Sequence, residues 1–182
     1  MKKIALFGGS FDPPHAGHIA IVEAALEQLD IDKVVIVPAY LNPFKSHAHA
    51  PASLRLKWLR KIYDGNDCVA VSDFEIAKQR PVPTIETVRH FLATAEKLYV
   101  IIGADNLAAL EAWYAFTELD ALVTWVVARR DGINVPDRFA TLDIDSPVSS
   151  TDLRRAMAPH ELPAPVADEI AAYYKENNAT KN

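Results

Sequence analysis

The stretch from Lys2 to His18 constrains the fold more than any other. Lys2-Lys3-Ile4-Ala5-Leu6-Phe7 reads as a short buried strand. It runs directly into Gly8-Gly9-Ser10-Phe11-Asp12-Pro13-Pro14-His15-Ala16-Gly17-His18, and Ile19, Val22, Leu26 and Leu29 then recur at helical spacing. A strand leading through glycines into a helix opens a parallel α/β unit. A glycine pair leaving the strand lets a phosphate approach bare backbone N–H groups. The helix N-terminus just beyond favours anions. His15 and His18, three residues apart, face the same point, and as cations they oppose the helix dipole unless an anion offsets them. The pattern predicts a site for a polyphosphate.

The rest of the chain repeats the alternation. Val34-Val35-Ile36-Val37 is a β-branched run typical of a strand buried on both faces, ended by Pro38. Residues 38–52 form a Pro/Asn/His-bearing loop long enough to suggest a substrate role. A helix is expected from about Ala52 to Tyr63, carrying Leu54, Trp58, Leu59 and Ile62. Val69-Ala70-Val71 reads as a strand, with Phe74-Glu75-Ile76 expected to pair near it. Pro81 and Pro83 punctuate a loop before a helix from about Thr84. Tyr99 to Ile102 is a strand ending at Gly103, followed by a helix through Leu107, Leu110 and Trp113-Tyr114. Further strands are expected at Val123–Val127 and Leu142–Ile144. Helices at Ser149 and through Val166, Ile170 and Tyr173 close the chain, with residues 176–182 as a frayed tail. The expectation is one α/β domain over 1–182: a Rossmann-like, doubly wound parallel sheet with helices on both faces. Gly8, Pro38, Gly103, Arg129 and the segment before Ser149 all follow strand ends, so the motifs converge on one edge of the sheet.

Composition narrows the function class. In 182 residues, half hydrophobic and 24% charged, the balance is that of a soluble globular protein. No apolar run is long enough for a bilayer, and Lys2-Lys3 precedes too few apolar residues for a secretory signal. No membrane association is expected. A single cysteine fits a reducing compartment, so the cytoplasm is the expected location. A net charge of −5 argues against a nucleic-acid surface. Positive charge for a polyphosphate must therefore be local, with Lys45, His15, His18, Arg129, Arg130, Arg154 and Arg155 as candidates. Nothing in the sequence fixes an oligomeric state.

Spacing eliminates the familiar phosphate and metal motifs. The G-x-G-x-x-G fingerprint is not present at Gly8, and no lysine follows Gly17 as a Walker A loop requires. His15 and His18 lack a nearby third ligand for zinc. The segment Gly8–His18 does resemble the H-x-G-H signature of the nucleotidylyltransferase superfamily. More closely, it resembles the bacterial nicotinate-nucleotide adenylyltransferase family. Ile102-Gly103-Ala104-Asp105-Asn106-Leu107, Trp113-Tyr114 and Ser149-Ser150-Thr151-Asp152-Leu153-Arg154 fall in that family's order along nearly the whole chain. Phosphopantetheine adenylyltransferases typically carry threonine at the position of His15 and lack the Trp113-Tyr114 context. Cytidylyltransferases are less alike in the lead-in to the histidines, and the chain is too short for a class I tRNA synthetase. A nucleotide sensor on the same fold is the non-catalytic alternative.

Residue by residue, the signals differ in strength. Ser149 with Asp152 forms a capping box that needs no ligand, yet Arg154 and Arg155 early in that helix oppose its dipole and suit phosphates. The resemblance gives Ser149, Ser150 and Arg154 the β- and γ-phosphates. Asp105 is either a helix N-cap or the acceptor of both ribose hydroxyls; the resemblance implies the latter, with Gly103 allowing close approach. Arg129 is either a solvated arginine or a side chain lying over the nucleotide. Trp113 is either core or a stacking partner for a pyridine ring, and the resemblance sets the mononucleotide base against Trp113 and Tyr114. It also sets Thr84 against the nicotinate carboxylate. Two positions depart from the pattern. Pro83 replaces the family's tyrosine, and Phe44 replaces the histidine beside Lys45. The residues leave open the choice between nicotinate and nicotinamide mononucleotide.

The implied reaction is attack of a mononucleotide phosphate on the α-phosphorus of ATP. A phosphate monoester is already anionic near neutral pH, so no general base is required. Catalysis reduces to positioning and charge stabilisation by His15, His18 and Arg154, with Gly8, Gly9 and Ser10 cradling the phosphates. Mg²⁺ is expected as the ATP counterion, held mainly by phosphates and water, with no protein metal cage.

Overall fold

The computed structural model describes residues 2–42, 47–129, 132–144 and 161–179, with backbone alone at 178 and 179. Six strands, β1 (Lys3–Gly9), β2 (Lys33–Pro38), β3 (Val69–Val71), β4 (Lys97–Gly103), β5 (Thr124–Ala128) and β6 (Ala140–Leu142), form one sheet in the order β3-β2-β1-β4-β5-β6. Every neighbouring pair is parallel. The helices are α1 (Ala16–Gln28), α2 (Ala52–Ile62), α3 (Phe74–Ala77), α4 (Thr84–Leu92), α5 (Phe116–Leu122) and α6 (Ala167–Ala179). Tight 3₁₀ turns occupy Ala104–Ala112 and Ala164–Val166.

The pleat sorts side chains into two cores. Ile4, Leu6, Val35, Val37, Leu98, Val100, Ile102, Trp125 and Val127 point to one face, where they meet Ile85 and Val88 of α4 and Leu119 of α5. Ala5, Phe7, Val34, Ile36, Tyr99, Ile101 and Val126 point to the other, against Val22 and Ala25 of α1 and Leu59 of α2. Each large apolar side chain so buried contributes roughly 1.5–3 kcal/mol. A smaller third cluster joins Trp58 of α2 to Leu162, Val166, Ile170 and Tyr174. Strand order reverses between β1 and β4, and this doubly wound sheet with helices on both faces has its switch point where ligands bind in such folds.

Three local expectations are corrected. Phe74-Glu75-Ile76 is not a strand but the core of α3. The Ser72 hydroxyl oxygen accepts from the Phe74 N–H at 3.2 Å, turning the chain out of the edge strand β3. The segment through Leu107 and Leu110 is a 3₁₀ run, not an α-helix, and it ends at Ala112, before Trp113-Tyr114. The last strand sits at Ala140–Leu142, two residues earlier than expected. The expected helix at Ser149 lies outside the described residues. Residues 176–179 continue α6.

Candidate active site

A cleft of ≈ 750 Å³ opens at the carboxyl ends of β1 and β4. Gly8, Gly9, Ser10, His15 and His18 line it from the first motif. Thr84, Gly103, Asp105, Trp113, Tyr114 and Arg129 line it from four other segments. These candidate residues therefore share one cleft, while Pro38, also expected at that edge, is not among its lining residues. Lys45, Ser149, Ser150 and Arg154 lie outside the described residues.

The histidines owe their geometry to the start of α1. The Gly17 N–H donates to His15 Nδ1 at 3.1 Å, and the His15 N–H donates to His18 Nδ1 at 3.2 Å. A backbone N–H can only donate, so each Nδ1 is an acceptor and each neutral ring carries its proton on Nε2. The two side chains form a reciprocal cap. They therefore answer the helix's own donors, and opposition to the dipole alone does not demand an anion. Their rings lie 3.7 Å apart between centroids, at 33°. Phe11 supports them from below. Its ring is 4.8 Å from that of His18 and edge-on to Phe7, and its backbone sits at φ +48°. That left-handed conformation is uncommon for a bulky residue and is held by near-complete burial of the side chain.

On the other wall, Gly103 precedes the 3₁₀ run without a side-chain cap. Asp105 is thus not the N-cap; it is exposed, with Oδ1 only 2.5 Å from where a Cβ on Gly103 would sit. A side chain at 103 would displace the Asp105 carboxylate. Trp113 is both core and cleft wall: it packs edge-on to Trp125 at 6.1 Å and also faces the cleft. Tyr114 is 74% exposed. Arg129 sits at the mouth beside Asp143, 3.6 Å away. Thr84 is the first residue of α4, after Pro83, which offers no capping side chain.

Buried charged residues that the motif reading passed over frame this site. Asp12 accepts from the backbone N–H groups of His49 (2.7 Å) and Ala50 (3.0 Å) and from the Tyr174 hydroxyl. The His49 imidazole lies 3.4 Å away. Burial pushes the Asp12 pKa up, but the Tyr174 hydroxyl and the two N–H groups outweigh it and hold the carboxyl below its usual range. Arg55, on the apolar face of α2, is fully buried. It donates to three carbonyls: Ala50 at 3.0 Å, Tyr40 at 2.9 Å, and Ser10. Asp12 and Arg55 thus pin both ends of the 38–52 loop to the first motif. The sequence signal was a charge at the i−3 and i−4 positions from Trp58 and Leu59, on the buried stripe.

Glu75 is the third. It lines the cleft, is 8% exposed, and accepts the Thr87 hydroxyl on Oε1 at 2.6 Å. Burial raises its pKa to about 7; the Thr87 hydrogen bond pulls the other way and Glu86 adds to the rise.

Among the described residues, no group of three or more His, Cys, Asp or Glu side chains is placed to hold a metal ion. No described helix is long and apolar enough to cross a membrane.

Residues 6–156 match the cytidylyltransferase-like family model. A Sulfurimonas denitrificans protein named "Probable nicotinate-nucleotide adenylyltransferase" is 53% identical over 98% of both chains. The chain belongs to the nicotinate-nucleotide adenylyltransferase family. A Nitratiruptor member of the family with the same name is 50% identical over 95% of this chain and 99% of its own. In the solved structures, Plasmodium falciparum nicotinic acid mononucleotide adenylyltransferase complexed with NaAD has a TM-score of 0.75. It is 17% identical, over 98% of this chain and 97% of that one. At that identity the likeness is one of fold.

Proposed function

We propose that this cleft transfers the adenylyl group of ATP to nicotinate mononucleotide, giving nicotinate adenine dinucleotide and pyrophosphate. The observation that carries the reading is the His15–His18 pair, locked through both Nδ1 atoms beside Gly8-Gly9 at the sheet's switch point. A phosphate oxygen of the mononucleotide attacks the α-phosphorus of ATP. The bond from that phosphorus to the β-phosphate oxygen breaks, and pyrophosphate leaves with the bonding pair. The Nε2–H groups of His15 and His18 stabilise charge on the α-phosphate and the bridging oxygen. Gly8, Gly9 and Ser10 let the two phosphates approach in line. Gly103 and Asp105 hold the adenosine ribose, and Arg129 lies over the nucleotide. Trp113 and Tyr114 stack on the pyridine ring, and Thr84 meets its carboxylate. Lys45 serves the same mononucleotide, while Ser149, Ser150 and Arg154 hold the pyrophosphate. The cleft's imidazole nitrogens are poor ligands for a hard cation, which supports Mg²⁺ carried on ATP phosphates and water. When bound, Mg²⁺ neutralises phosphate charge. A lone, exposed Cys68 supports a reducing, cytoplasmic setting.

The test is pyrophosphate release from ATP and Mg²⁺ with nicotinate mononucleotide as acceptor. Release is expected with the wild-type chain, and His18→Ala should lower turnover by roughly a hundredfold or more. ATP binding without release would turn the case to a nucleotide sensor. Near-wild-type turnover in His18→Ala would remove that ring from the mechanism.

A further inference from the structure

Glu75 is a charged-type side chain in the wall of the cleft that the transfer mechanism does not use. Among the described residues its one hydrogen-bond partner is the Thr87 hydroxyl, on Oε1. Glu75 lines the cleft, and so does Thr84, one helical turn from Thr87. A carboxyl so placed has two states with opposite chemistry. Protonated, it donates a hydrogen bond, which a carboxylate accepts strongly. Ionised, it repels a carboxylate and accepts from an amide N–H₂.

We propose that Glu75 reads the substituent on the pyridine ring of the acceptor, taking a ring carboxylate when protonated and a ring carboxamide when ionised. This rests on the reading that the mononucleotide occupies the Thr84–Trp113 end of the cleft. The carboxyl's raised pKa, about 7, puts both states within reach near neutrality. The charged and titratable groups around it do not offer a substitute. On α3 these are Asp73 and Lys78, the latter with its ammonium over the Phe74 ring. On α4 they are Glu86, which is paired with Arg80, Arg89, which is paired with Glu118, and His90, whose ring stacks on Phe74 at 4.1 Å. Strand β2 brings only apolar side chains, Ile36, Val37 and Pro38, to this end, and His15, His18 and Asp105 belong to the nucleotide part of the cleft.

The test is the ratio of kcat/KM for nicotinate mononucleotide to that for nicotinamide mononucleotide, measured from pH 6 to pH 8. Groups that act on ATP or on the acceptor phosphate affect both acceptors alike, so the ratio isolates the ring substituent. In the wild-type chain the ratio should fall about tenfold or more across that range, as the carboxyl ionises. In Glu75→Gln it should not vary with pH. In Thr87→Val, which removes a hydrogen bond that favours the ionised form, the fall should move to higher pH. A flat wild-type ratio, or the same fall in Glu75→Gln, overturns the role of Glu75 while leaving adenylyl transfer intact. No release with either acceptor overturns the transfer reading itself, and the role of Glu75 with it.

Discussion

Two carboxyls are buried, Asp12 in the first motif and Glu75 in the cleft wall, and they have opposite proton affinities. Asp12 gathers two backbone N–H groups and the Tyr174 hydroxyl, with His49 and Arg55 near, and its pKa falls. Glu75 gathers one hydroxyl, and its pKa rises to about 7. Burial pushes both upward, so burial does not explain the difference. The number of donors supplied does. An acid given enough donors becomes a permanent anion that holds structure together. An acid given one donor keeps two states available, and a cleft wall is where two states can be used.

The largest effect should follow from removing the charge that Asp12 answers. Arg55→Met leaves three carbonyls without their donor and takes the cation away from Asp12. We expect a stability loss of about 3–5 kcal/mol by chemical denaturation. Turnover should also fall, because Ser10 and the 38–52 loop lose their tie. A loss under ~1 kcal/mol would mean that Asp12 and its donors hold the loop alone.

Glu75→Gln should do the reverse, and only in one pH window. The ordinary glutamate value is 4.5 and the folded value about 7. The folded state therefore binds the proton more tightly, and stability from this group is full below about pH 4.5 and lost as pH rises to about 7. The shift corresponds to about 3 kcal/mol, as an upper figure. The glutamine variant should match the wild-type chain at about pH 4 and exceed it by up to that amount at about pH 8, read from thermal melts. Equal stability at pH 8 would mean that the buried carboxyl costs the fold nothing, and the contrast with Asp12 would fail.

The comparison also shows what a sequence can reveal. Strand, glycine pair and helix from Lys3 to Gln28 were legible because their signals are local: a short continuous apolar run, then small residues, then period 3.6. Gly103 and Arg129 stood out because each follows a strand end, whereas Asp105 and Trp113, the latter separated from β4 by the 3₁₀ run, were reached only through the family resemblance. Neither buried acid was legible. Asp12 is anchored by residues 37, 38 and 162 positions away, and Arg55 reaches back 45 positions to Ser10. No local pattern encodes such partners. Glu75 was concealed differently: Phe74-Glu75-Ile76 alternates like a strand over three residues, and the Ser72 hydroxyl tips it into a helix. The histidine pair shows a subtler gap. Its spacing was plain, but that each Nδ1 would serve a backbone donor depended on rotamers that a spacing does not contain.

The smallest change tests whether donor count is the governing variable. Tyr174→Phe deletes one hydroxyl, leaving the ring in its cluster with Trp58 and Ile170. Asp12 keeps the His49 and Ala50 N–H groups, so its pKa should rise part of the way toward the ordinary aspartate value. A depressed acid contributes stability above its unfolded pKa and loses it as pH falls through the folded one. The variant should therefore lose about 1–2 kcal/mol at neutral pH, and its acid-unfolding midpoint should move to higher pH. The cleft should be affected less, because the Arg55 contacts to Ser10, Tyr40 and Ala50 remain. If acid unfolding is unchanged, the two backbone N–H groups suffice for Asp12. The threshold between a fixed anion and a switchable acid would then lie between one donor and two.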